Sequence, residues 1–113
     1  MTSSLNAPFP YYGGKSRAAA LIWERLGDVQ NYVEPFAGSL AVLLQRPHLP
    51  RIETVNDKDG FLCNVWRALA ADPNAVARWC DFPPNECQQH ADHTWLGNQR
   101  EEFTAQLMGN PDF

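Results

Sequence analysis

The chain reads as an α/β protein: a small parallel sheet followed by a helical C-terminal segment. Three observations predict this. Two short strand-like runs, at residues 31–36 and 51–57, are separated by an apolar helical stretch. The connection between them is too long for a hairpin and long enough for a crossover helix, which makes the strands parallel neighbours. Helical periodicity on both sides completes the order helix, strand, helix, strand, helix, and the rest is helical.

Residues 1–14 form an extended arm, marked by Pro8, Pro10 and the Gly13-Gly14 pair. From Ser16 to Leu26, Ala18, Leu21, Ile22 and Leu26 fall on one helical face, and Gly27 follows as a helix stop. Tyr32-Val33-Glu34-Pro35-Phe36 reads as a short buried strand. Ser39 stands where it can cap the next helix, through Leu40 and Val42 to Leu44, with Pro47 closing it. Ile52 to Asp57 alternates and is rich in β-branched residues, hence the second strand. Leu62, Val65, Trp66 and Leu69 then recur at helical spacing. Asp72-Pro73 is a cap followed by a first-turn proline, opening a helix to about Cys80. Pro83-Pro84 interrupts, and a last helical stretch spans about Asn85 to Met108. The expected division is an α/β module over residues 1–72 and an acidic helical tail over 73–113.

Composition narrows the function classes. At 113 residues the chain is expected to carry one core of modest size. No run approaches the roughly 18 apolar residues of a membrane span. The start, "MTSSLNAPFPYYGGKSR", lacks the order of a secretory signal, and the three cysteines cannot all pair with one another, so a cytoplasmic setting is expected. Net charge is −4 and unevenly placed: residues 61–113 carry three Lys/Arg against seven Asp/Glu, while residues 1–60 balance six against six. Phosphate contacts need the opposite sign, so this chain by itself is expected to bind DNA poorly.

Both strands end in chemistry. In an open α/β sheet, ligands bind beyond the carboxyl ends of the strands. The first strand delivers Glu34 and the Ala37-Gly38-Ser39 turn, whose N–H groups at a helix start can hold a carboxylate. The second delivers Asn56-Asp57 about twenty residues later, where an acid can accept bonds from ribose hydroxyls. A turn with a single glycine is an ordinary connector on its own. Combined with an acid ending the next strand, it points to a nucleoside-type ligand.

Three motifs in order, "YYGGK", "VEPFAGS" and "VND", resemble the Dam-like, or D12-class, DNA adenine-N6 methyltransferases over roughly residues 8–70. The resemblance implies a partial class I methyltransferase (Rossmann-like) sheet with S-adenosylmethionine (AdoMet) as its ligand and no metal. It implies that Tyr11 and Lys15 lie near the cofactor, that Glu34, Phe36, Ala37 and Gly38 line its methionine end, and that Asp57 holds its ribose. Glu34 would then accept a bond from the cofactor's α-amino group, directly or through water.

The family's catalytic Asp-Pro-Pro-Tyr, which binds the amino group of a flipped adenine and stacks on its ring, does not occur in these 113 residues. "DFPPNE", Asp81 to Glu86, has Phe before the prolines and Asn after them, and it lies between helices rather than at a strand end. No catalytic residue is assigned. The expectation is a truncated methyltransferase-like protein that keeps the AdoMet-binding half without the reaction half. The alternative, from a different class, is a non-catalytic derivative acting as a protein-binding inhibitor, such as a phage or mobile-element anti-defence (anti-CRISPR) protein.

Other clusters read as structure. Cys80, Cys87, His90 and His93 are spaced unlike any standard zinc site. Cys63, Trp66 and Trp79 are expected in the core. Trp95, Glu101, Glu102, Phe103 and Phe113 mix aromatics and acids where little sheet remains to cover them, which marks a candidate partner surface.

Overall fold

A computed structural model describes residues 4–80 and 85–109. The elements are α1 (Ala19–Leu26), β1 (Asn31–Glu34), α2 (Ala41–Leu44), β2 (Ile52–Val55), α3 (Gly60–Ala71), α4 (Pro73–Cys80) and α5 (Glu86–Gly109). The chain divides into two compact units, one up to Lys58 and one from Asp59 onward. This is a mixed helix and strand architecture whose sheet, among the described residues, is one parallel pair.

In the first unit β1 and β2 run parallel, with Asn31 opposite Ile52 and Glu34 opposite Val55. Burial along β1 alternates, so only Tyr32 and Glu34 face inward and Val33 is 65% exposed. The expectation of a buried strand is corrected to a half-buried one, because a helix layer covers one face of this sheet. Against that face pack Ala19, Trp23 and Val42, with Ile22, Val29 and Leu43 around them. The rings of Trp23 and Tyr32 lie 4.7 Å apart, and the Trp23 indole N–H donates to the Val42 carbonyl at 2.7 Å.

The buried face of α1 is therefore Ala19, Ile22 and Trp23, while Leu21 and Leu26 are exposed. The expected face was rotated by about one position. Periodicity alone does not separate two adjacent stripes, and the larger ring decides which one turns inward. Gly27 closes α1 as expected: its φ is +69°, and its N–H donates to Trp23 O. The expected Ser39 cap is not formed. Leu40, in the left-handed region at φ +56°, precedes α2, and no side chain caps it. Ser39 is buried instead.

An unexpected group anchors this unit. Arg46 is buried, with its guanidinium 5.0 Å from the centre of the Trp23 ring. It donates to Glu53 Oε1 at 2.9 Å, to Val29 O at 2.8 Å and to Asp28 Oδ1 at 3.4 Å. Arg51 pairs with the same Asp28 at 2.8 Å. A hydrogen bond from Arg51, followed by the attraction of its charge, holds the Asp28 carboxyl down at about 2.

In the second unit, the Asp59 side chain accepts the Phe61 N–H and opens α3. Asp72 accepts the Ala75 N–H at 2.9 Å, the cap the Asp72-Pro73 pair predicts. Asn85 accepts the Gln88 N–H and starts α5. Gly60 faces α5 closely: a Cβ there would stand 3.0 Å from Thr104 Oγ1 and 3.4 Å from Leu107. The α3–α5 contact is ring against ring, with Phe103 edge-on to Phe61 at 6.2 Å, and within α5 Phe103 also meets Trp95 edge-on at 5.7 Å. Arg100 stands over Phe61 at 5.0 Å, and Arg67 donates to Leu107 O at 3.0 Å. Trp79, expected in the core, is 78% exposed; Trp66 and Cys63 are half-buried.

Candidate functional site

The site lies at the carboxyl end of the sheet in the first unit. Glu34 ends β1, the chain turns through Pro35 to Ser39, and Asn56-Asp57 follows β2. The turn is tied to the second strand's end by two bonds: the Ala37 N–H donates to Asn56 O and the Gly38 N–H to Asp57 Oδ2, each at 2.9 Å. The Leu40 N–H donates back to Ala37 O at 2.8 Å. The expectation that turn N–H groups wait for a ligand carboxylate is therefore corrected at Ala37 and Gly38. These donors are already satisfied, and Asp57 supplies the carboxylate.

The arm closes over the turn. Gly38 has φ +52°, and a Cβ there would lie 2.7 Å from the Tyr11 ring. Glycine is thus required twice, for its backbone angle and for the approach of Tyr11. The Gly14 N–H donates to Tyr11 O, which folds the arm on itself. Lys15 then reaches across, donating to Phe36 O at 2.6 Å and standing 3.2 Å from Glu34 Oε1.

A cavity of about 270 Å³ lies between arm and turn. Tyr11, Lys15, Phe36, Ala37, Gly38 and Asp57 line it, together with Gly13, Gly14, Ser39 and Ala41. Six of the seven residues expected around the ligand thus come together, from three separate stretches of chain. Glu34, the seventh, does not line the cavity. It is only 4% exposed and lies behind Lys15. Tyr32 O–H donates to Glu34 Oε2 at 2.9 Å, and burial followed by this bond pushes the phenol above its ordinary range. Among the described residues Glu34 Oε1 receives no hydrogen bond of good angle, and the Lys15 ammonium is its ion-pair partner.

The residues fit part of AdoMet. The cavity offers an exposed aromatic, Phe36 at 75%, one carboxylate, one ammonium and glycine-lined walls. Its volume is just short of the roughly 300 Å³ at which sites for drug-sized molecules begin.

Sequence reasoning missed Tyr32 as the partner of Glu34, although the two-residue spacing in a strand puts both on one face. It also missed Arg46; the acids Asp28 and Glu53, one just before β1 and one within β2, were its available signal. The remaining expected residues lie elsewhere. Trp95 is 55% exposed, and Glu101 and Glu102 are exposed. Phe103 is half-buried between Phe61 and Trp95, which corrects its placement on an open surface. Residues 81–84 of the "DFPPNE" stretch and Phe113 lie outside the described residues. Among the described residues no group of three or more His, Cys, Asp or Glu is placed to hold a metal ion. No helix there is long and apolar enough to cross a membrane.

Comparison with curated proteins and with solved structures gives no match. The family model for D12 class N6 adenine-specific DNA methyltransferase matches residues 11–106, a longer stretch than the three motifs span. That covers the end of the arm, both strands and most of α5, and the chain belongs to the D12 class N6 adenine-specific DNA methyltransferase family.

Proposed function

We propose that the first unit holds part of AdoMet in the cavity under the arm, and that these 113 residues transfer no methyl group by themselves. In this reading the parallel pair is the start of a class I methyltransferase (Rossmann-like) sheet. Phe36 and Tyr11 contact the ligand's apolar parts, and Asp57 accepts from ribose hydroxyls. Lys15 faces its amino-acid end. The cofactor would supply an electrophilic methyl group, and the chain's own residues would orient it. The observation that carries the reading is the convergence of Tyr11, Lys15, Phe36, Ala37, Gly38 and Asp57 on one cavity. The family membership supports the ligand's identity. The second half of the reading rests on the sequence, which contains no Asp-Pro-Pro-Tyr. Free cysteines at 63, 80 and 87 support a reducing, cytoplasmic setting.

Calorimetry with AdoMet and its demethylated product tests the first part. Binding weaker than about 1 μM, worth less than about 8 kcal/mol, and lost in Asp57→Ala is the expected result. Tight binding indifferent to that substitution overturns it. A methylation assay on DNA tests the second part, and transfer above background by the pure chain overturns it.

A second reading has its own support. Trp79 and Trp95 are exposed in a segment where seven acids outnumber three bases. A non-catalytic protein-binding inhibitor would present that surface, with Trp95, Glu101 and Glu102 as contacts. Loss of partner capture in Trp95→Ala and in Glu101→Lys/Glu102→Lys, with AdoMet binding absent, is the result that would favour it.

A further inference from the structure

We propose that Lys15 is the resident counter-ion of a buried ammonium subsite, and that a ligand's amine must displace it to reach Glu34. Glu34 is buried behind Lys15, one oxygen fixed by Tyr32 and the other lacking any well-angled donor among the described residues. A buried carboxylate in that condition demands a cation. Lys15 meets the demand from the cavity side: it lines the cavity, stands 3.2 Å from Glu34 Oε1, and is anchored by Phe36 O at 2.6 Å. Glu34 does not line the cavity. The subsite therefore has the chemistry of an ammonium receptor, a carboxylate oxygen beside a backbone carbonyl, and the chain's own ammonium fills it.

Two consequences separate this from a Lys15 that simply grips a ligand carboxylate. An external amine should replace the missing side chain, and removing Lys15 should tighten amine-bearing ligands. A ligand competing with an occupied state is weakened by the fraction of time the site is open.

The first experiment uses no nucleoside and is independent of the AdoMet reading. Lys15→Ala is melted with increasing ethylammonium. The expected result is a saturable rise in Tm, absent in wild type and in Lys15→Ala/Glu34→Gln. If Lys15→Ala does not fold unaided, the same effect is read as recovery of folded protein. No rescue, or equal rescue in the double variant, overturns the subsite.

The second experiment rests on the AdoMet reading. Decarboxylated AdoMet, which keeps the aliphatic amine without the carboxylate, and 5′-methylthioadenosine, a neutral thioether with neither aliphatic amine nor carboxylate, are titrated into wild type and Lys15→Ala. Displacement predicts that decarboxylated AdoMet binds about tenfold tighter to the variant, or about 1.4 kcal/mol, with methylthioadenosine unchanged. Unchanged decarboxylated AdoMet together with weakened AdoMet overturns displacement and makes Lys15 a carboxylate ligand. Rescue by ethylammonium without binding of any nucleoside leaves the ammonium subsite standing and removes the cofactor reading.

Discussion

Up to Lys58 the chain closes around one ring, Trp23, and ties itself with buried polar groups, Arg46, Glu34 and Ser39. From Asp59 on, three helices meet with Leu107 as the one buried side chain among the described residues. The first unit depends on a network of long-range bonds, the second on caps, shallow ring contacts and the bond from Arg67 to Leu107 O. Such polar anchors fix geometry to fractions of an ångström, which a ligand site needs. The cavity is in the first unit, and its walls are held by the same kind of contact: Asp57 to Gly38, Lys15 to Phe36.

Substitutions can break this contrast. The largest effect is expected at Arg46. Arg46→Met strands Glu53 and removes the cation from Trp23, costing about 3–5 kcal/mol, the range for breaking a buried pair. The measurement is denaturant unfolding, and a change under about 1 kcal/mol would make Arg46 an ordinary surface residue. In the second unit the matching change is milder. Phe103→Ala loses two edge-on ring contacts and part of a half-buried ring, about 2 kcal/mol. If it costs as much as Arg46→Met, the contrast fails.

Smaller again is Asp72→Ala, which removes a helix cap for about 1 kcal/mol. It should be read as loss of helical signal confined to α4.

The smallest effect is the response to acid at Asp28. Its folded-state value, about 2, lies below its ordinary 3.8, so its contribution is present above pH 4 and fades as pH falls from about 4 toward 2. Comparing wild type with Asp28→Asn across that window should show the two stabilities converging at low pH. Parallel curves would remove the Arg51 pair from the account.

The contrast also explains what the sequence made legible. Parallel strands, the Gly27 stop and the Asp72 cap were readable because each is local or follows from connection length. The cavity residues were readable because the turn, the acid and the arm carry recognisable motifs. Arg46 was not, since a lone arginine before Pro47 looks solvated until Asp28, Glu53 and Trp23 are brought to it. Nor was the inward face of α1, where Ala19 and Trp23 outcompete Leu21 and Leu26 only once Tyr32 supplies a surface. Glu34 was read as facing the ligand. Its burial behind Lys15 depends on the arm's return, which no local pattern encodes.

The central claim is that ligand chemistry lives in the first unit and not in the helical one. Titrating AdoMet into isotope-labelled protein and following each backbone amide tests it most directly. The account predicts shifts at Tyr11, Gly13, Gly14, Phe36 to Ser39 and Asp57, with residues 86–109 unmoved. Shifts concentrated in α5, or none at any residue at millimolar ligand, about 4 kcal/mol of binding, would contradict it.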